Sequence, residues 1–159
     1  FTMADDYTFE NQSAAQAPFA ELLSSFFRHA DDPTSNRYLD LFTSNGQLNF
    51  GPTVAIGKEA IQISREHSLN PERGPLVAQR HRLRKIFLPL GVSSPGKQEV
   101  FANGSVSYWL KSGRQVDCNW ASWVVFHDQG EGNWQADFYE VYLSTSELYD
   151  AIREMVNPA

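Results

Sequence analysis

Few side chains here can move a proton near neutral pH, and they stand far apart in the chain. There are four histidines, His29, His67, His81 and His127, and one cysteine, Cys118. Two adjacent carboxylates, Asp31 and Asp32, precede Pro33. His81 lies in residues 78–88, Ala-Gln-Arg-His-Arg-Leu-Arg-Lys-Ile-Phe-Leu, which read as a strand. Alternation puts Gln79, His81, Leu83, Lys85 and Phe87 on one face, and Arg80, Arg82, Arg84, Ile86 and Leu88 on the other. An imidazole with an ordinary pKa near ~6.5 suits proton shuttling. A carboxylate beside it would orient the ring and raise its basicity. Tyr108 offers a phenol, which can donate a hydrogen bond to a carbonyl or enolate oxygen. Each group also has a structural reading: a wall histidine, a solvated Asp-Asp-Pro turn, a core aromatic.

Positioning these groups falls to helices at the start, strands in the middle and one helix at the end. Pro18 suits the first turn of a helix in which Phe19, Leu22, Leu23, Phe26, Phe27 and Ala30 recur at helical spacing. Asp31-Asp32-Pro33 stops it. Thr34 or Ser35 can cap a short second helix carrying Tyr38, Leu41 and Phe42. After the Asn45-Gly46 turn come short strands at 47–50 and 53–56 and a helix at 58–69, closed before Pro71. Strands are then predicted at 78–88, 98–110, 114–127 and 133–143. Ser144 and Glu147 fit a capping box for a last helix with Leu148, Ala151, Ile152 and Met155 on its apolar face. Val106, Tyr108 and Leu110 are expected inward on their strand. On the next, Val116, Cys118, Trp120, Ser122, Val124 and Phe126 are favoured as inward, with Asp117, Asn119 and Trp123 outward. Cys118 reads as a small buried residue, since no activating partner is evident. The fold class is α+β, with helices segregated to one side of a curved antiparallel sheet. Residues 1–15 are expected to be a flexible arm and 16–157 a single domain. Phe1-Thr2 reads as a cloning remnant and Met3 as the native start.

Composition narrows the function classes. The 159 residues are 42% hydrophobic and 20% charged, enough for one folded core. The net charge of −6 argues against nucleic acid, because phosphate contacts need clustered Lys and Arg. The basic run from Arg80 to Lys85 is split between two faces by strand alternation. No apolar run approaches the ~20 residues of a membrane span, so no membrane partner is expected. One cysteine allows no intrachain disulfide. The polar, acidic segment after Met3 is not a signal peptide, so a cytoplasmic address is expected. No ligand spacing resembles a metal site and no Gly-rich phosphate loop occurs, so neither metal nor cofactor is expected.

The chain resembles the SnoaL-like, nuclear-transport-factor-2-like superfamily, which includes ketosteroid isomerase, scytalone dehydratase, limonene epoxide hydrolase and polyketide cyclases. The matching residues are Tyr38-Leu39-Asp40-Leu41-Phe42, Asn45-Gly46, Ile56-Gly57-Lys58-Glu59-Ala60-Ile61, Arg80-His81-Arg82 and the strands ending Phe138-Tyr139-Glu140-Val141-Tyr142-Leu143. The match spans roughly residues 16–145 and looks especially like small fungal members found with secondary-metabolite enzymes. It implies a cone-shaped curved antiparallel sheet, helices on one face, and an apolar cavity. The implied function is a cofactor-independent acid/base enzyme, a dehydratase, isomerase or cyclase acting on a small aromatic or polyketide-like metabolite. The alternative is a non-catalytic small-molecule-binding or protein-interaction module of the same fold.

The resemblance implies His81 as general acid/base, Asp31 ahead of Asp32 as its carboxylate, and Tyr108 where the dehydratase has a second histidine. Phe27, Tyr38, Phe50, Leu83, Trp120, Ser122 and Tyr139 are the implied substrate-binding residues. Phe50 stands where ketosteroid isomerase has an Asp base and scytalone dehydratase a Tyr, so that route to proton abstraction is missing. No Asp-Arg-Asp set supports epoxide hydrolysis. Glu140 stands where many relatives carry Gln, as an outward charge or an interior acid. A homodimer formed through the sheet is the family habit and is expected here.

Overall fold

The computed structural model describes residues 7–90 and 94–159; the cloning-remnant reading of residues 1–2 lies outside them. The first helix, α1, runs Phe19–Asp31 and buries Phe19, Ala20, Leu23, Phe27 and Ala30 along one stripe. It ends where Asp32 turns extended ahead of Pro33, which cannot continue a helix. The expected second helix is a single 3-10 turn, Arg37–Leu41, which follows Asn36 and has no side-chain cap. Two further helices are α2 (Lys58–Ser68) and α3 (Ser146–Val156). The capping box expected from Ser144 and Glu147 does not form; Thr145 is the N-cap, without a side-chain bond.

Six strands make one sheet in the order β2-β1-β6-β5-β4-β3. They are β1 (Phe42–Phe50), β2 (Thr53–Ile56), β3 (Leu76–Phe87), β4 (Lys97–Leu110), β5 (Gln115–Asp128) and β6 (Trp134–Leu143). Every neighbouring pair is antiparallel except β1 with β6, which is parallel. The sheet is therefore mixed, not wholly antiparallel as expected. Hairpins join β3 to β6 in sequence, but β1 reaches β6 only after the chain has built α2 and four more strands. A parallel pair needs such a long connection. The helices cover one face, with α1 against β3, α2 against β1 and β2, and α3 against β5.

Burial alternates along β5, where Val116, Cys118, Trp120, Ser122, Val124 and Phe126 face in. Glu140 is paired with the outward Trp123, so it is not an interior acid. On β3 the expected alternation holds only to Leu83. A register shift between Leu83 and Lys85 then inserts a residue. Beyond it Ile86 is buried while Lys85 and Phe87 face out, the reverse of the simple alternation. At Gly104 β4 has no room for a side chain. An added Cβ would overlap the Arg82 carbonyl oxygen and lie 2.7 Å from Cζ2 of Trp120.

The arm expected over residues 1–15 is docked from Tyr7 onward. Tyr7 and Phe9 are buried. Glu10 N–H donates to Arg84 O at 2.8 Å. The Asn11 side chain pairs with the backbone of Ile86, Nδ2 to O at 2.8 Å and N to Oδ1 at 3.0 Å. Residues 7–12 thus form a strap against β3, because two aromatic side chains hold the backbone down. A capping box between Ser13 and Gln16 closes the short turn at Ala14–Gln16 that leads to α1.

Candidate active site

The end of α1 and the middle of β3 bring Asp31 and His81 together. Asp31 Oδ1 lies 2.6 Å from His81 Nδ1, and their side chains are 5% and 14% exposed. The other oxygen, Oδ2, accepts the backbone N–H of His81 at 2.7 Å and the Tyr7 hydroxyl at 2.7 Å. An ionised carboxylate oxygen can only accept, so Nδ1 carries a proton, and in the neutral ring Nε2 presents a lone pair. Nε2 has no hydrogen bond among the described residues. The imidazole packs beside Phe27 at 4.8 Å and Trp120 at 6.0 Å between ring centroids. Trp120 is fixed in turn by Nε1 donating to Ser105 O at 3.0 Å. Its close approach to β4 uses the space left at Gly104.

His81 opens into a cavity of about 640 Å³ between the sheet and the three helices. That size is within the range of small-molecule sites. Its walls include Phe27, Tyr38, Phe50, Tyr108, Trp120, Ser122 and Tyr139. A shallow groove at the start of α2, lined by Ser44, Gly57 and Lys58, shares no residue with the pair.

Polar groups in the cavity are mostly hydroxyls. Tyr108 is paired with Gln79, one diagonal step from His81 on the same face. Its hydroxyl makes no hydrogen bond among the described residues, and burial holds its phenol well above the ordinary value. Ser122 donates to the Tyr139 hydroxyl at 3.1 Å, so the Tyr139 proton is not used in that bond. Burial also raises the Tyr139 phenol, against a smaller opposite effect from Ser122. The Tyr38 hydroxyl is buried and has no partner at hydrogen-bond geometry among the described residues, although the Arg65 guanidinium lies 4.8 Å from its ring.

Arg65 also braces Asp31. Its Nη2 donates to Ala30 O at 2.9 Å and Asp32 O at 2.7 Å, the carbonyls on either side. Gln79 Nε2 adds a bond to Ala30 O at 3.0 Å. Burial lowers the pKa of Arg65, but from a starting value that leaves it a cation. Asp32 takes no part in the pair. Its carboxylate is exposed and accepts the N–H and hydroxyl of Thr34, which hold it below the usual range.

Among solved structures, hexachlorocyclohexane dehydrochlorinase LinA type 3 from Novosphingobium barchaimii superposes with a TM-score of 0.70 at 13% identity, over 82% of this chain and 87% of that one. A candidate scytalone dehydratase from Novosphingobium aromaticivorans gives 0.63 at 14%, over 78% and 80%. Nuclear transport factor 2 from Cryptosporidium parvum gives 0.59 at 16%, over 78% and 90%. This chain has the SnoaL-like, nuclear-transport-factor-2-like fold. No protein-family model matches the chain, and no curated protein does either. At these identities the likeness carries the fold, and function has to be argued from the site.

Within the SnoaL-like cone, His81, Asp31 and Tyr108 lie on neighbouring elements, and Phe27, Tyr38, Phe50, Trp120, Ser122 and Tyr139 line the same cavity. Leu83 is the exception. It is buried in the core and is not part of the cavity wall. It stands one step past His81, opposite Gly104, where β3 nears its bulge and the docked strap. Sequence reasoning did not name Tyr7 or Arg65. The Tyr7-Thr8-Phe9 alternation was the available signal for the first; nothing local marked the second. Cys118 is buried, and burial raises its thiol, which suits a packing role. Among the described residues no three His, Cys, Asp or Glu side chains converge as a metal site. No described helix is long and apolar enough to cross a membrane.

Proposed function

We propose that this protein is a cofactor-independent acid/base enzyme, with His81 as the base, Asp31 as its orienting carboxylate and Tyr108 as the donor to a substrate oxygen. The observation that carries this reading is the divided imidazole. Nδ1 is fixed by Asp31, while Nε2 is left unbonded beside a small-molecule-sized apolar cavity. Such a pair is built to take a proton from carbon and give it back.

In a dehydration the steps balance as follows. Nε2 takes a proton from a carbon next to a carbonyl. The C–H electron pair becomes the new carbon–carbon double bond as hydroxide leaves the neighbouring carbon. The imidazolium returns its proton to that hydroxide, and water is the second product. Tyr108 stabilises charge that develops on the carbonyl oxygen. Returning the proton to another carbon would make the same site an isomerase, and capture of the enolate by a carbonyl carbon would make it a cyclase. Two of the structural neighbours are named for eliminations, a dehydrochlorinase and a candidate scytalone dehydratase, which supports this class. The flat aromatic walls at Phe27, Phe50 and Trp120 favour a small aromatic or polyketide-like substrate.

The test is a screen of hydroxylated aryl ketones for loss of water, with binding measured separately by calorimetry. His81→Gln is expected to keep ligand binding and to lose turnover. Full turnover in His81→Gln contradicts the assignment. The rival reading, a binding module, takes its support from Phe50, which places an apolar side chain where other members have a base. Binding without turnover across the screen favours it. A homodimer through the sheet remains part of the proposal. The outward face carries Phe101 stacked on Trp123 at 6.2 Å, with Phe138 edge-on at 5.2 Å. Sedimentation of a single 18.0 kDa species at all working concentrations contradicts it.

A further inference from the structure

Asp31 has two oxygens with separate duties. Oδ1 serves the imidazole, and Oδ2 accepts the His81 backbone N–H and the Tyr7 hydroxyl. The two bonds from His81 come from one residue of β3. Tyr7 adds a hold from a different element and opposes rotation of the carboxylate plane. It is not part of the cavity wall, so it reaches the chemistry only through Asp31.

We propose that Tyr7 is a positioning residue of the acid/base pair, and that the strap of residues 7–12 is a working part of the active site. This rests on the reading of Asp31 and His81 given above. The strap is registered on the strand that carries His81. Glu10 N–H bonds Arg84 O, Asn11 brackets the backbone of Ile86, and Glu10 pairs with Lys85 at 3.1 Å. Phe9 is buried beneath it. The Tyr7 ring is clasped by cations, with the Arg80 guanidinium 4.0 Å and the Arg28 guanidinium 5.5 Å from its centre. Strap, β3 and the end of α1 therefore meet on one carboxylate.

The donor on Oδ2 also draws charge away from Oδ1. That moderates the pull of Asp31 on the shared proton and keeps it on Nδ1. The phenol holds its own proton firmly, because burial and the adjacent carboxylate raise its pKa by more than Arg80, which also meets the hydroxyl, lowers it. The charged and titratable groups facing the pair are Tyr7 from the strap, Arg28 and Asp32 from α1 and its end, Arg65 from α2, Arg80 from β3 and Tyr108 from β4. Tyr7→Phe removes one hydroxyl and leaves the other groups in place.

The test follows the His81 ring by NMR across pH in the full chain, beside solvent-deuterium exchange into an enolisable aryl ketone. Tyr7→Phe is expected to move the His81 titration midpoint upward relative to native protein, because Oδ1 gains charge. Exchange is expected to fall roughly 10- to 100-fold, with the ketone's half-saturation little changed. Asn11→Ala cuts the strap's bonds to Ile86 without touching the pair, and should move both readouts the same way by less. It also carries the test should Tyr7→Phe fold poorly. An unmoved midpoint and unmoved exchange in both variants, with only a lower unfolding midpoint, overturns the proposal and leaves the strap a structural plug. If His81→Gln keeps full exchange, the reading of the site fails instead, and the titration arm still decides whether Tyr7 positions the pair.

Discussion

Asp31→Asn tests the logic of the pair with little change in shape. The carboxylate accepts three hydrogen bonds, from Tyr7, from the His81 backbone and from His81 Nδ1. An amide offers only one oxygen, and its NH2 group must face the remaining donors. With the amide oxygen on the Oδ2 side, NH2 confronts Nδ1, and His81 must switch to the tautomer with its proton on Nε2. The lone pair then points away from the cavity and the base is lost. With the oxygen on the Oδ1 side, NH2 confronts the buried backbone N–H of His81, which is left unsatisfied. Such an orphaned donor costs about 1–3 kcal/mol. The first arrangement keeps the backbone bond, so the tautomer switch is the expected outcome. Losing a charge-assisted bond worth about 1.5–3 kcal/mol lowers turnover about 10- to 150-fold, and the wrong tautomer adds to that. Long-range nitrogen–proton NMR reads the tautomer without a substrate. The native protein should show the proton on Nδ1, and Asp31→Asn should show it on Nε2, with about 1–3 kcal/mol lost in urea unfolding. A native Nε2–H tautomer, or an unchanged one in the variant, refutes the reasoning.

Three further outcomes are expected. Tyr108→Phe should lower turnover about 10²- to 10³-fold by removing the donor to the developing oxyanion. It should leave folding stability equal or up to about 1 kcal/mol higher in urea melts, since the lost hydroxyl has no partner among the described residues; a large loss of stability would mark it as structural. Tyr108 and Tyr139 both have raised phenol pKa values in the folded chain, so the native state holds their protons longer than the unfolded one. Stability should be intact below about pH 10 and fall above it by up to ~1.4 kcal/mol per pH unit for each group; melts that stay flat from about pH 9.5 to 11.5 contradict this. Gly104→Ala should destabilise by about 1–3 kcal/mol or more, and should reduce activity by pushing Trp120 off Phe27 and His81; a fully stable, fully active variant shows that β4 has room to give.

Legibility followed the range of the interaction that decides each feature. The helices and long strands repeat their patterns locally, so α1, α2, α3 and β3 to β6 were readable to within a few residues. The sequence favoured the inward face of β5 because Val116, Val124 and Phe126 share it with Cys118, Trp120 and Ser122. Only Asp117 and Asn119 mark the opposite face as polar, and Ala121, Trp123 and Val125 there are apolar too. The inward placement of His81 rests on the same alternation, and Asp31 is where α1 must stop for Pro33. What failed was set by distant partners. The parallel pairing of β1 with β6 depends on how the sheet closes. The bulge after Leu83 leaves no local mark, yet it turns Lys85 and Phe87 outward. Leu83 was expected in the cavity because it shares a face with His81, but a shared face does not say where the empty space ends. Tyr7 lay in a stretch read as a polar arm, although Tyr7 and Phe9 alternate as docked extended chain would. Arg65 belongs to the polar part of an amphipathic helix, and its bonds are to carbonyls more than thirty residues away.

The central claim is that His81, oriented by Asp31, removes a proton from carbon inside the cavity. Its most direct test is proton NMR of enolisable aryl ketones in D2O with native protein, His81→Gln and Asp31→Asn. The account predicts loss of the signal next to the carbonyl as deuterium enters with native protein. It predicts no exchange above background with His81→Gln and slow exchange with Asp31→Asn. Ketones that bind in the cavity without exchanging, or exchange that survives in His81→Gln, would contradict it.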